Sequence, residues 1–296
     1  MLSPAPDCAA TAPTVSRLVL PQSALAGCVR GLMVRDTRGV ALSEAQRYNH
    51  FPATPLCSLV WCHHGEAHGL PPGQPARADT PRLAMPAPVL FFGPTTGPMI
   101  SHNPGPVRSL VLLLMPDALH ALTGLTAADW VDRYAALAEV LDADWQALGA
   151  AVLAEPDDAR WLTLIEDFLQ PRWAALRPAA APAVQRYRDW TQALALRAAT
   201  SAPGRSLRQV ERRLRQWAGQ PMRELQVLAR GEQAFLQARA AGEAGRLSWA
   251  EVAADNGYAD QSHLGRITRR LTGFAPQELT RRIAEEESFW PYRIWM

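Results

Sequence analysis

The stretch EVAADNGYADQSHLGRITRRLTGFAP, residues 251–276, decides how the C-terminal part of this chain folds. Ser248, just before it, and Glu251 fit the capping box that starts a short helix. Gly257 can adopt the left-handed conformation that ends this helix, and Asp260 is suited to cap a second one. Two helices joined by a tight turn that contains glycine are typical of the helix-turn-helix motif.

Helical periodicity divides the second helix into two sides. Its inner side is mostly apolar and carries His263, Leu264, Ile267 and Leu271. Its outer side carries Gln261, Ser262, Gly265, Arg266 and Arg269. Gln and Arg side chains read adenine and guanine edges in the major groove, and an exposed glycine lets a helix approach closely. The pattern therefore predicts a DNA recognition helix.

A similar unit occurs earlier in the chain. SLRQVERRLRQWAGQPMREL, residues 206–225, and DQSHLGRITRRLTGFAPQEL, residues 260–279, both predict a helix that ends at a small residue and a glycine. Arg212 and Arg266 each stand seven residues before that glycine. The intervening residues 222–240 predict a helix nearly 30 Å long at about 1.5 Å per residue. Because successive major grooves lie about 34 Å apart, we expect both units to face one side of a duplex.

The rest of the chain divides into a β-rich part and helical parts. Strands are predicted in the apolar or alternating runs CVRGLMV, CSLVWCHH, PVLFFGP and VRSLVLLLM, which favour a small barrel or sandwich. Helices are predicted next in DALHALTG, AADWVDRYAALAEVL, ADWQALGAAVLAE and DDARWLTLIEDFL. The helices predicted after these are Val184–Thr200, Ser206–Trp217, Met222–Ala240, Ser248–Asn256, Asp260–Leu271 and Pro276–Ser288.

These patterns predict an α+β fold class. A small β-barrel or cupin-like unit is followed by helices, and then by an all-α domain with two helix-turn-helix units joined by a long helix. Residues 1–24 are rich in Pro, Ala, Ser and Thr, which predicts a loosely ordered leader. Residues 25–176 form the first domain and residues 177–296 the second. The boundary lies in a linker, because QPRWAALRPAAAPA, residues 170–183, contains three prolines among alanines.

Charge is distributed unevenly along the chain, which contains no lysine. Residues 1–180 hold 12 Arg against 16 Asp plus Glu, a balance of −4, while residues 181–296 hold 18 Arg against 12 acids, a balance of +6. The C-terminal part is therefore the one that attracts a polyanion. Arginine forks also suit phosphate groups and guanine edges.

Cysteine usage and hydropathy indicate a cytoplasmic protein without a membrane partner. Cys8, Cys28, Cys57 and Cys62 show no disulfide or zinc spacing, so we predict reduced thiols. The longest apolar stretch, residues 107–115, is too short to span a bilayer.

Residues from about 184 to 283 resemble the DNA-binding domain of the AraC/XylS family of bacterial transcription regulators. VAADNGYADQSHLGRITRRLTGFAPQEL carries most of the likeness, and SLRQVERRLRQWAGQPMREL carries the rest. The family has two helix-turn-helix units joined by a long helix. Two differences are Thr268, where the family usually has a core Phe, and a longer first turn, ATSAPGRS. The resemblance implies groove-facing positions at Arg208, Glu211 and Arg212 in the first unit and at Gln261, Ser262, Gly265 and Arg266 in the second.

The function that we expect is promoter recognition on double-stranded DNA. By the same resemblance, residues 25–176 are an effector-binding or dimerisation domain, which leaves open a small-molecule effector of unknown identity and a homodimer. We expect no cofactor and no enzymatic activity, because the sequence has no P-loop, dinucleotide fingerprint or hydrolase motif.

Two alternatives use other parts of the chain. In WCHHGEAH, His64, Glu66 and His68 share one strand face, which suggests a cupin-type metal-dependent enzyme with a helical interaction domain. On a regular strand His64 and His68 lie about 13 Å apart, so a shared ion needs a bend at Gly65. The other alternative is an interaction protein that docks through its apolar tail, residues 289–296, although packing of this tail on its own domain is the simpler expectation.

Overall fold

The computed structural model describes residues 14–176, 186–201 and 206–295. Within these ranges the predicted α+β class is confirmed, because a β-rich N-terminal unit is followed by a helical part. The end of the predicted linker, residues 177–183, lies outside the described residues, as do residues 1–13 of the predicted leader, which include Cys8. No helix in the described ranges is both long and apolar enough to cross a membrane.

Two antiparallel sheets form the N-terminal unit. The strands are β1 (Val15–Val19), β2 (Val29–Asp36), β3 (Tyr48–Phe51), β4 (Cys57–His64), β5 (His68–Gly69), β6 (Leu83–Ala84), β7 (Val89–Phe92), β8 (Met99–His102), β9 (Arg108–Leu114) and β10 (Tyr134–Ala136). One sheet has the order β1-β2-β9-β4-β7-β10 and the other the order β3-β8-β5-β6. The strands predicted in four apolar runs are confirmed as β2, β4, β7 and β9.

Helices follow the sheets and fill the C-terminal part. They are α1 (Pro116–Thr123), α2 (Leu137–Val140), α3 (Ala143–Ala154), α4 (Asp158–Leu176), α5 (Tyr187–Thr200), α6 (Leu207–Ala218), α7 (Met222–Glu243), α8 (Trp249–Asp255), α9 (Gln261–Thr272), α10 (Pro276–Glu285) and α11 (Trp290–Ile294). The helices predicted for the C-terminal part are thus confirmed, with ends that differ by a few residues.

The segment predicted as a helix in AADWVDRYAALAEVL is instead a short 3-10 helix, Ala127–Trp130, followed by β10 and α2. Strand β10 pairs with β7 and forms the edge of the six-stranded sheet, with Tyr134 opposite Phe92. The helical spacing of apolar residues was misleading here because pairing with a sheet edge outweighs local helical preference.

Parts of the predicted leader and of the predicted linker form regular secondary structure. Val15–Val19, within the predicted leader, pairs with β2 and places Leu18 opposite Met33. The first part of the predicted linker continues α4, which contains Pro171. Trp173 is buried in the core, and this burial holds the helix together beyond the proline.

One apolar core runs through both parts of the molecule. On the six-stranded sheet, the Trp61 indole Nε1 donates to the Gly149 carbonyl of α3 over 3.0 Å. The same core includes Leu214 of α6, Leu228 of α7 and Trp290 of α11. The helical part is therefore packed on the β unit and does not stand apart from it.

The C-terminal tail is buried between the two parts. Trp290, 3% exposed, donates from Nε1 to Asn49 Oδ1 over 2.7 Å, and Phe289 stacks on His50 with ring centroids 4.5 Å apart. Arg35 Nη1 donates to Glu287 Oε1 over 2.7 Å. The alternative of an exposed docking strip is therefore wrong for residues 289–295, because sheet residues already cover this strip.

His50 makes this junction sensitive to acid. Burial, helped by the positive charge of Arg282, lowers the pKa of His50 from its ordinary value of 6.5 to about 4. The unfolded chain therefore binds more protons than the folded chain in this window, so the free energy of unfolding falls as pH drops from 6.5 to about 4. We expect this histidine to account for a loss on the order of 2 kcal/mol.

Urea unfolding of the wild type and of His50→Phe between pH 7.5 and pH 4.5 measures this effect. The variant keeps an aromatic ring against Phe289 and should show a flatter pH dependence. Burial also lowers the pKa of His63 to about 4. His63→Phe is therefore a second variant, and it should also flatten the pH dependence of the free energy of unfolding. Identical slopes for the wild type and His50→Phe would contradict the assignment.

Candidate DNA-binding surface

Side-chain caps and glycines define the ends of α6 and α9. The Ser206 hydroxyl accepts from the Gln209 backbone N–H at 3.3 Å, and Asp260 Oδ1 accepts from the His263 N–H at 2.6 Å. Gly219 and Gly273 close the two helices with φ of 77° and 86°, which favours glycine. The Asp260 cap and the two glycine ends are as the sequence predicted, and the Ser206 cap gives α6 a similar start.

Another helix precedes each of the two helices along the chain. Ser248 caps α8 by accepting from the Glu251 N–H at 3.4 Å, and Gly257, with φ of 68°, turns the chain towards α9. Helix α5 packs against α6 and α7. The turn between α5 and α6 includes residues 202–205, which lie outside the described residues. Helices α5, α8 and α9 all pack against the long helix α7. This helix ends three residues beyond its predicted end at Ala240.

The residues singled out by the sequence lie on the solvent side of the two helices. The exposed ones are Arg208, Arg212, Gln261, Ser262, Arg266 and Arg269, and the half-exposed ones are Glu211 and Gly265. Leu214 and Ala218 of α6, and Leu264 and Leu271 of α9, are buried on the opposite sides. Each helix thus keeps its cationic side free of the protein interior.

The arginines on these outer sides are unpaired within residues 14–176, 186–201 and 206–295. Arg208, Arg212, Arg266 and Arg269 make no hydrogen bond or ion pair through their guanidinium groups there. Many other arginines of the described residues have an acidic partner, such as Arg282, which bonds Glu278 Oε1 at 2.9 Å. The outer sides of α6 and α9 therefore offer guanidinium groups to an external anion.

Glu211 and Gly265 differ from their neighbours. Glu211 Oε1 lies 3.7 Å from Arg215 Nε, so its charge is partly compensated. A Cβ added at Gly265 would meet Pro276 Cδ at 4.0 Å and nothing closer. Packing within the described protein therefore does not require glycine at this position.

The C-terminal ends of α6 and α9 rest on one loop of the β unit. Gln220, just after α6, donates from Nε2 to the Thr95 carbonyl over 3.4 Å. A Cβ at Gly273, which ends α9, would lie 3.7 Å from Pro98 Cγ. Arg270 of α9 also bonds Glu224, at the start of α7, over 3.0 Å. Helix α9 thus packs along α7, with its C-terminal end near the start of α7.

Buried polar ties hold the helical part on the β unit. Asp117, at the start of α1, accepts from Trp190 Nε1 at 2.8 Å and from Arg197 Nη2. A second tie joins Arg30 of β2 to Glu232 of α7 over 3.2 Å. Burial raises the pKa of Glu232 above its ordinary value, against the opposing effect of Arg30.

The histidine cluster behind the enzyme alternative does not come together. The chain bends at Gly65, with φ of 80°, but Glu66 is largely exposed and lies 3.5 Å from His68 without a third ligand. No group of three or more His, Cys, Asp or Glu side chains in the described ranges could hold a metal ion. The metal-dependent enzyme is therefore not favoured by this geometry.

Comparisons with known proteins give a distant likeness in layout. No protein-family model matches the chain, and neither does any curated protein sequence. Structures of ToxT from Vibrio cholerae are similar. An apo variant of strain SCE256 has 12% identity and a TM-score of 0.38, covering 84% of this chain and 95% of that chain. ToxT of O395 has 11% identity and a TM-score of 0.36, covering 81% and 95%. Fatty acid-bound ToxT has 11% identity and a TM-score of 0.35, covering 78% and 92%. At these values the likeness carries no argument about function or site residues.

Proposed function

We propose that this protein is a transcription regulator that binds a promoter site on double-stranded DNA. Helices α6 and α9 are its recognition helices, placed in successive major grooves. The observation that carries the proposal is the set of unpaired, exposed guanidinium groups on the outer sides of two similarly capped helices. The resemblance of residues 184–283 to the AraC/XylS family supports the same function.

Each outer residue has a role that follows from its chemistry. Arg212 and Arg266, each in the middle of its helix, suit bidentate bonds to guanine O6 and N7. Gln261 suits adenine, and Glu211 can accept from cytosine N4. The remaining residues, Arg208, Ser262 and Arg269, suit phosphate contacts that fix the position of the protein on the duplex.

Residues 25–176 are proposed to control the DNA-binding domain, residues 177–296. The buried ties from Asp117 and Arg30 make such control physically direct, because a change in the β unit displaces α5 and α7. Control through a small-molecule effector and control through a homodimer are the two forms of this proposal.

Gly265→Ala separates DNA binding from folding. Because the space around Gly265 is open and the residue lies within α9, alanine should raise the free energy of unfolding by about 0.5–1 kcal/mol. The added methyl group should nevertheless weaken DNA binding, since it keeps the helix away from the groove floor. Urea unfolding and a DNA titration on the same preparation measure the two effects. Unchanged DNA affinity would mean that this side of α9 does not enter a groove.

Selection of duplexes from a random pool tests the proposed function. The full-length protein should enrich a motif with two conserved blocks, and binding of a selected duplex should weaken steeply with salt because phosphate contacts release counterions. A pool that shows no enrichment over several rounds, with protein shown to be folded by circular dichroism, would contradict the proposal.

A further inference from the structure

An apolar cavity of about 550 Å³ lies between the β unit and the helical part. Met33 and Leu113 of the six-stranded sheet form one wall, and Leu228 of α7 lies on another. Leu264 and Leu271, from the inner side of α9, line it as well. This volume is in the range of sites that hold small molecules. The cavity therefore lies directly behind the second proposed recognition helix.

The charged groups in the cavity wall are already compensated by neighbours. Arg239 Nε bonds Glu243 Oε1 at 2.7 Å, and both residues line the cavity. Arg293 bonds Glu287 Oε2 at 2.6 Å, and the carboxylate of Glu232 bonds Arg30. A ligand carboxylate would find no uncommitted cation among these wall residues. Burial of an unpaired charge is costly, so the wall disfavours an anionic ligand.

Hydroxyl groups in the cavity wall can form a hydrogen bond with a ligand. The Thr268 and Thr280 hydroxyls each donate to a backbone carbonyl of their own helix, at 2.9 and 3.1 Å, and keep lone pairs free to accept. The Thr272 hydroxyl donates to the Thr268 carbonyl at 2.8 Å and already accepts from the Phe274 N–H at 3.2 Å. Tyr292, 3% exposed, has a buried hydroxyl without a hydrogen-bond partner in the described ranges. The wall thus suits a ligand that carries an uncharged hydroxyl.

We propose that the cavity binds an uncharged, largely apolar molecule with a single hydroxyl group, and that its occupancy changes the affinity of α9 for DNA. This inference rests on the proposed function for its second half. Ligand atoms would touch the inner side of the helix whose outer side carries Gln261, Arg266 and Arg269. A ligand that binds the free and the DNA-bound forms unequally must shift DNA affinity by the same factor.

Calorimetry of the full-length protein with 1-decanol and with decanoate at pH 7.5 tests the ligand class without DNA. The two probes have equal chain length and differ in head-group charge. Decanol should bind at least about tenfold more tightly and raise the melting temperature, because a ligand that binds only the folded state stabilises it. Equal or tighter binding of decanoate would overturn the inference, and so would a lack of binding by either probe.

Cavity-filling variants locate the site. Thr268→Phe from α9 and Met33→Phe from the opposite wall should each weaken decanol binding at least tenfold. Ala240→Phe adds the same ring on the exposed side of α7, outside the cavity lining, and should leave binding unchanged. Both filling variants binding decanol like the wild type would place the ligand elsewhere and overturn the proposal.

A DNA titration with and without decanol tests the second half. We expect a change in affinity of about fivefold or more, and an unchanged affinity with decanol bound would overturn the regulatory role. Failure of the protein to bind DNA in either condition would instead contradict the proposed function, while calorimetry would still report on the cavity.

Discussion

Changing both Arg212 and Arg266 to alanine is expected to lower sequence-specific DNA affinity by about 30-fold or more. A bidentate contact to guanine contributes about 1–3 kcal/mol, and a tenfold change in affinity corresponds to about 1.4 kcal/mol. Both side chains are exposed and unpaired within the described ranges, so the fold should lose little stability. Anisotropy titration of a selected duplex measures the loss, and each single variant should relax specificity in one block of the motif only.

Arg160→Ala is the matched control for this experiment. It removes the same charge from an exposed arginine of α4, whose Nε lies 3.2 Å from Glu155. Its DNA affinity should stay within about twofold of the wild type, because Arg160 lies on neither proposed recognition helix and salt screens exposed charges that make no direct contact. Retention of specific binding by the double variant, with an unchanged melting temperature, would show that these arginines do not read the site.

Asp117→Ala is expected to lower the free energy of unfolding by about 3–5 kcal/mol. The carboxylate is 6% exposed and accepts from both Trp190 and Arg197 of α5. Its removal leaves an indole N–H and a guanidinium without their acceptor at a junction where water enters poorly. Urea unfolding followed by tryptophan fluorescence measures the loss, and the transition of the helical part should separate from that of the β unit.

Asp144→Ala provides the comparison for a surface pair. Asp144 bonds Arg172 at 2.8 Å, but its side chain is 70% exposed. The expected loss is below about 1 kcal/mol, since solvent screens exposed pairs. A similarly small loss for Asp117→Ala would mean that the junction between the two parts is held by apolar packing alone.

The helical part was predictable because its signals are local. Ser206, Ser248 and Asp260 each bond a backbone N–H three residues ahead, and Gly219 and Gly273 end the helices in which they were predicted to do so. The division of α9 into a polar and an apolar side was also predictable, because it follows from helical periodicity within the twelve residues of the helix.

The contacts between the two parts were not predictable, because their partners are far apart in sequence. Asp117 lies 73 residues before Trp190 and 80 before Arg197, and Asn49 lies 241 before Trp290. No local pattern marks these residues as partners. The same reason explains why β10 was missed. Its apolar residues have helical spacing, and its pairing partner β7 lies far away in sequence. The cavity likewise arises only when sheet and helices pack together.

Methylation interference at guanine N7 reports whether α6 and α9 occupy successive major grooves on one side of the duplex. Two clusters of interfering guanines about 10 base pairs apart are expected, with Arg212→Ala abolishing one cluster and Arg266→Ala the other. A single cluster that both variants affect equally, or two clusters half a turn apart on opposite sides of the duplex, would contradict this arrangement.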